Sequence, residues 1–460
     1  MDEVRKQGCE GVTDLPEGFK MTELGPLPEE WEVIRLGDVA RFETGKRERG
    51  GAQSQGEVFS VGGEHITEDG RLDFSSLKFI SRRFYEKLNS GKVKPGDTLV
   101  CKDGARTGKS AFIREIPSSG LAVNEHVFIV RPVNAQLYDE FLGYWFLSEQ
   151  AWQQLRVACH GLIGGITRED ISNFILPLPP LYEQRAIAHV LRTVQRAKEA
   201  TERVIQATRE LKKSLMRYLF TYGPVPMEEA ERVPLKETEI GLVPEHWEVV
   251  RLGDFVRRGV LALRNGFAQG RHNESGKGIP HLRPFNIDGD GNLTMHQVKY
   301  VPPPPPDSPY WLQIGDVIFN NTNSEELVGK TAYFDQDVHC VLSNHMTLIR
   351  VMDASIIDSY WLSRILHFLY QCGIFRLLCR RHVNQVSVSL ERLQSLYLPF
   401  PPLPEQHKIA RILQAVDKKL QAEEARKQAL EELFKTLLHN LMTGKIRVKD
   451  LKLPEIKEVQ

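Results

Sequence analysis

The stretch Trp31-Glu32-Val33-Ile34-Arg35-Leu36-Gly37-Asp38 decides how this chain is read, because it returns as Trp247-Glu248-Val249-Val250-Arg251-Leu252-Gly253-Asp254. A second marker behaves the same way. Leu176-Pro177-Leu178-Pro179-Pro180-Leu181-Tyr182-Glu183-Gln184 returns as Leu398-Pro399-Phe400-Pro401-Pro402-Leu403-Pro404-Glu405-Gln406. Trp31 recurs after 216 residues and Leu176 after 222, so two markers keep their order at nearly one displacement. Chance does not produce this pattern; the chain holds two large units of one design. The period far exceeds that of a solenoid, so each unit is large enough for its own core.

Composition narrows the class. At 460 residues and 41% hydrophobic content the chain is expected to form about three folded bodies. No apolar run is long enough to cross a bilayer, and residues 1–20 scatter charges with no apolar stretch. A cytoplasmic protein without signal peptide is therefore expected. The six cysteines (Cys9, Cys101, Cys159, Cys340, Cys372, Cys379) form no CxxC pair and read as free thiols, with no metal site. Lys plus Arg and Asp plus Glu both total 60, so a nucleic-acid reader of this composition must segregate its charges.

Each unit divides into a mixed segment and a long helix. The mixed segments carry short β-rich runs at 97–101, 126–130, 316–319 and 345–349, and helical patterns at 137–156 and 356–378. After each Pro-rich stop a three-four alternation begins. It runs through Ile187, Val190, Val194, Ala197, Thr201, Val204, Thr208, Leu211, Leu215 and Tyr218. The second copy runs through Ile409, Leu413, Val416, Leu420, Glu423, Lys427, Leu430, Phe434, Leu437 and Leu441. A helix of about 40 residues is roughly 60 Å long, far beyond one domain of this size. The two helices are expected to pack on each other along that seam; two independent surface helices are the alternative. The boundaries read as an N-terminal extension (1–20), a first mixed domain (21–175), a long helix with its entry (176–222) and an exposed linker (223–238). A second mixed domain (239–397), a second long helix (398–443) and a C-terminal tail (444–460) follow, with both termini loosely held.

Catalytic motifs fail one by one. Gly104-Ala105-Arg106-Thr107-Gly108-Lys109-Ser110 and Glu325-Glu326-Leu327-Val328-Gly329-Lys330-Thr331 imitate a phosphate-binding loop. The required first glycine is replaced by Asp103 and Ser324, and strand follows where a helix is needed. The recurrence suggests a glycine turn between strands that presents a lysine, or a plain hairpin. The run 286–292 resembles a calcium loop but has Gln297 at its twelfth position, so it reads as a β-turn. No nucleophile elbow, cofactor loop or amino-methylation motif is present. What remains suits DNA: Arg, Asn and Gln read base edges, and Lys and Arg hold phosphates. The candidates are Lys102, Arg106, Lys109, Arg264, Asn265, Arg271, Asn320, Asn321, Lys330, Arg380, Arg381, Asn384 and Gln385.

The two repeated markers, with a Gly-Asp-x-Leu/Ile strand at Gly96-Asp97 and Gly315-Asp316, resemble the specificity subunit of a type I restriction-modification system over roughly 21–445. The resemblance implies two similar α/β (α+β) target-recognition domains separated by a long antiparallel two-helix coiled coil, in a pseudo-twofold internal repeat. Each domain would read one half of a bipartite, asymmetric sequence in double-stranded DNA, with the helices setting the spacer. It also implies a non-catalytic chain that binds no cofactor. Two modification subunits with S-adenosylmethionine, and restriction subunits with ATP and Mg, would be its partners, and no membrane is involved. Two alternatives stay open. One is a coiled-coil protein-interaction adaptor without DNA reading, and the other a solitary fused methyltransferase.

Overall fold

A computed structural model describes residues 15–160 and 164–448. Cys9 and most of the expected N-terminal extension and C-terminal tail lie outside the described residues. Two compact units emerge: the described part of Met1–Thr201 with Arg426–Gln460, and Glu202–Ala425. Both long helices are shared between the units. Leu181–Tyr222, of 42 residues, and Leu403–Met442, of 40, each contribute one half to each unit.

Within each unit the two repeated markers are hydrogen-bonded to one another. Glu32–Arg35 pairs antiparallel with Ile175–Leu178 in the first unit, and Glu248–Arg251 pairs with Tyr397–Phe400 in the second. The Pro-rich stop is therefore a short edge strand, where proline costs no ladder bond, before the helix begins. The tryptophan of each opening marker is fully buried, and its indole N–H donates to the glutamate of the Pro-Glu-Gln-type entry. Trp31 reaches Glu183 at 2.9 Å and Trp247 reaches Glu405 at 2.8 Å. The adjoining glutamine is spent on backbone. Gln184 accepts from Tyr138 N–H and donates to the carbonyls of Gln136 and Pro179, while Gln406 accepts from Asp358 N–H and donates to those of Ile356 and Pro401. The Gly-Asp marker has an equally local cause. Asp97 binds the Arg131 guanidinium on the neighbouring strand, and Asp316 binds Arg350.

Each unit is built on a four-stranded antiparallel sheet. In the first the order is Ala40–Thr44, Val127–Pro132, Thr98–Cys101, Ser110–Phe112; in the second it is Leu261–Asn265, Met346–Val351, Val317–Asn320, Thr331–Tyr333. A three-stranded sheet accompanies each, with one antiparallel and one parallel pair: Val58–Val61 between Lys78–Ile80 and Leu121–Val123, and Ile279–Leu282 between Lys299–Val301 and Val341–Leu342. The first helical pattern resolves into Asp139–Trp145 and Glu149–Ala158, the second into Ser359–Gln371 and Ile374–Leu378. The helices, one face of the four-stranded sheet, the marker tryptophans and the ends of the long helices form one core in each unit, and the other face of that sheet forms a second core with the three-stranded sheet. Ile187 and Leu191 share the first core with Leu438 and Leu441, and Met216 and Leu219 share the second with Ile409 and Leu413.

Three expectations are corrected. First, a β-hairpin precedes each opening marker: Phe19–Thr22 with Gly25–Pro28, and Leu235–Thr238 with Gly241–Pro244. Lys20 and Lys236 donate to the carbonyls of Glu29 and Glu245, so the repeat starts inside the stretches read as extension and linker. Second, the tail does not begin loose. Arg447 binds Glu183 at 2.8 Å and Glu30 at 2.7 Å beside Trp31. Third, the seam of the first helix is displaced by one residue at several positions, although Ile187 and Thr201 are buried as expected. Val204 and Leu211 are 39% and 55% exposed, whereas Leu191, Gln195, Lys198, Ile205, Lys212 and Met216 are buried. Val190, Val194 and Leu215 flank this stripe half-buried. In the second helix Ile409, Leu413, Leu420, Phe434 and Leu441 are buried, and Val416, Leu430 and Leu437 are half-buried. The buried stripe is partly ionic: Lys198 reaches Asp69 at 2.6 Å and Lys212 reaches Asp417 at 2.6 Å.

Candidate nucleic-acid interface

Each unit opens a polar cleft at an equivalent place, bounded by the loop before the long strand of the four-stranded sheet and by the turn after the middle strand of the three-stranded sheet. In the first unit Asn124, Glu125 and His126 face Gly62, Glu64 and His65, with Lys46 and Arg47 closing one side of about 300 Å³. In the second, Ser343, Asn344 and His345 face Arg283, Pro284 and Phe285, with His272, His281, Asn384 and Gln385 around about 780 Å³. One scaffold thus displays two different sets of donors and acceptors.

Several polar groups of the cleft walls are held by local hydrogen bonds. His65 accepts at Nδ1 from Gly62 N–H at 2.8 Å, and Asn286 accepts from Arg283 N–H at 2.9 Å, closing the equivalent turn. His281 places Nε2 3.1 Å from the Phe267 carbonyl and Nδ1 3.1 Å from His272 Nε2. Burial holds the His281 pKa below the usual imidazole range, so the ring is neutral. With the Nε2 proton on the carbonyl, its Nδ1 accepts from His272.

The sequence candidates separate into three groups. Asn384 and Gln385 line the second cleft, and Arg380 and Arg381 are exposed beside them. Arg264, Asn265 and Arg271 are exposed on the same unit; Arg264 lies 5.6 Å over the Tyr310 ring, and Asn265 accepts from Asn321 and Thr347. The others make contacts within their own unit. Asn320 is fully buried and donates to the Leu327 carbonyl, and Asn321 is buried against Thr347. Lys330 is 7% exposed, with its ammonium on the Ile287 carbonyl and its pKa lowered by burial, although it reaches the edge of the cleft. Lys109 pairs with Glu68, Arg106 donates to the carbonyls of Glu64 and Ile66, and Lys102 lies 5.8 Å over the Phe128 ring.

The glycine turns therefore do not present free lysines. They fold each lysine back onto the neighbouring 66–72 or 287–293 turn. Gly108 and Gly329 take φ of 88° and 92°, and a Cβ at Gly329 would meet Phe375 at 2.3 Å, so glycine is required there by conformation and space alike. The calcium-like run is the second copy of that turn, in which Asp288 Oδ1 accepts from the backbone N–H of Asp290 and Asn292. Among the described residues no group of three or more His, Cys, Asp or Glu side chains is placed to hold a metal. No helix among them is long and apolar enough to cross a membrane.

The first cleft escaped the sequence reading because its residues come from four separated segments. One signal was available: His126 and His345 each open a β-rich run, after Asn124-Glu125 and Ser343-Asn344.

The pairing of two markers and a cleft on each copy coincides with the domains that comparison with known proteins defines. The type I restriction modification DNA specificity domain matches residues 28–209 and again 244–432. The chain belongs to this family. It is 25% identical over 441 residues to a putative type I restriction enzyme MjaX specificity subunit of Methanocaldococcus jannaschii, covering 94% of this chain and 97% of the relative. The MjaVIII specificity subunit of the same organism is 24% identical over 442 residues, covering 95% and 97%. In fold, the chain is similar to the crystal structure of the type I S subunit from M. genitalium, with a TM-score of 0.58 at 15% identity over 89% of this chain and 96% of that one. Two matched domains in one chain fit the two target-recognition domains of a specificity subunit.

Proposed function

We propose that each unit of this specificity subunit reads one half of a bipartite, asymmetric sequence in double-stranded DNA through its polar cleft and the loops around it. The observation that carries this reading is the pair of clefts. Equivalent turns and strands frame both, yet Lys46, Arg47, Asn124 and His126 in one are answered by His272, Arg283, Asn384 and Gln385 in the other. Donors and acceptors of this kind discriminate base pairs in the major groove, and different sets select different bases.

The long helices are read as an antiparallel two-helix coiled coil that fixes the unread spacer between half-sites and docks two modification subunits. In support, the start of one helix shares a core with the end of the other in each unit. The chain itself supplies recognition and no chemistry. S-adenosylmethionine, ATP and Mg belong to the modification and restriction subunits, in a cytoplasmic assembly. Selection from a random duplex library by the chain assembled with its modification subunits tests this reading. Two short conserved blocks at one fixed separation are expected; a single contiguous block, or no enrichment, would overturn it.

A further inference from the structure

One element of the second unit stands out from the cleft it borders. Arg380–Arg381 and Val386–Ser387 form a β-hairpin, which also pairs through Val386–Ser387 with Thr322–Asn323. Its tip, His382-Val383-Asn384-Gln385, is closed by His382 N–H donating to the Gln385 carbonyl at 2.8 Å. His382 Nε2 also lies 2.8 Å from Ser387 Oγ. The base is anchored as well: Arg381 pairs with Glu325 at 3.0 Å, and Arg392 donates to the carbonyls of Leu378 and Cys379. At the apex Val383 is 98% exposed.

Folding does not ask for that residue. A tight hairpin tip favours Asn, Asp or Gly, and a β-branched side chain in water neither buries area nor supplies turn geometry. Its neighbours have a recognisable chemistry: two exposed arginines at the base, and Asn384 and Gln385 opening onto the cleft. A two-stranded ribbon fits a major groove about 12 Å wide. The apolar feature there is the thymine methyl, and Asn or Gln matches the N6/N7 edge of adenine. Valine suits the contact because its χ1 is already restricted, so its methyls are presented with little rotamer loss.

We infer that this hairpin enters the major groove of the half-site read by the second unit, with Val383 against a thymine methyl and Asn384 or Gln385 on adenine, so that an A·T pair lies under the tip. The inference rests on the DNA-reading function proposed above. The test uses the chain assembled with its modification subunits and a duplex carrying its selected target. Each thymine of the second half-site is replaced in turn by deoxyuridine, which removes only the methyl group. One replacement should weaken binding of the unaltered chain about fourfold, the effect of one buried methyl, and should have no further effect on Val383→Ala. Insensitivity at every thymine, or equal sensitivity in Val383→Ala, would overturn the placement of the hairpin while target-over-random discrimination persists. Absence of that discrimination in the unaltered complex would overturn the DNA-reading function itself. Val383 is solvent-exposed, so the variant leaves the core untouched.

Discussion

Replacing Asp417 by alanine should destabilise the second unit more than any surface change, and the structure gives the size of the loss. Asp417 is buried, with Lys212 at 2.6 Å, Arg364 at 3.4 Å and the Tyr360 hydroxyl donating to it. Lys212 and Arg364 are themselves 3% and 2% exposed. Burial lowers the Lys212 pKa, and the adjacent Asp417 carboxylate acts against that shift. Without Asp417, two cations remain in low dielectric against backbone carbonyls of Asp290 and Gly291. Removing one partner of a buried pair costs about 3 to 5 kcal/mol. For a unit of this size that corresponds to a fall in Tm of roughly 6 to 20 °C. Thermal unfolding of the full chain by calorimetry reads the effect. Adding Lys212→Met and Arg364→Met should restore part of the loss, because the uncompensated charges are then gone. A shift below about 2 °C for Asp417→Ala, or a further fall in the triple variant, would refute the view that these helix residues form an ionic joint.

Other outcomes follow from the same geometry. Gln184→Ala and Gln406→Ala each strand a backbone amide and two carbonyls, and each should cost about 1 to 3 kcal/mol in urea unfolding. His281 and His367 are held neutral by burial, His367 also by the nearby Arg364, Lys212 and Lys330, so their folded pKa values lie below the unfolded value of about 6.5. Below that pH the unfolded chain binds protons the folded chain refuses, and stability should fall from pH 7 to pH 5. Urea midpoints across that range check this, and His281→Gln should flatten the slope. Alanine at Asn384 or Gln385 should relax one target position at a cost of about 1 to 3 kcal/mol in binding, whereas Lys330→Met should leave the salt dependence of DNA binding unchanged.

The repeated markers were legible because their causes are local and occur twice. A buried tryptophan needs an acceptor for its indole N–H, and the glutamate of the helix entry supplies it in both copies. The Gly-Asp strand recurs for a similar reason, an arginine on the adjacent strand. The phase of the first long helix was not legible. Counting apolar residues favours Val204 and Leu211, whereas the buried face includes Lys198 and Lys212, whose partners Asp69 and Asp417 are distant in sequence. Lys330, Asn320 and Asn321 match DNA ligands by residue type, yet all three are buried, with the Lys330 ammonium on the Ile287 carbonyl, the Asn320 amide on the Leu327 carbonyl and the Asn321 amide on the Thr347 hydroxyl. The first cleft was missed for the opposite reason: Lys46, Arg47, Asn124 and His126 meet only after the sheets assemble.

The central claim is that the two units read DNA separately, and the most direct measurement is a map of methylated positions in cells carrying the chain with its modification subunits. The map is made before and after residues 21–175 are exchanged for the matching domain of a relative. One half of the bipartite target should change, while the other half and the spacer stay as they were. A change in both halves, or in neither, would contradict the account.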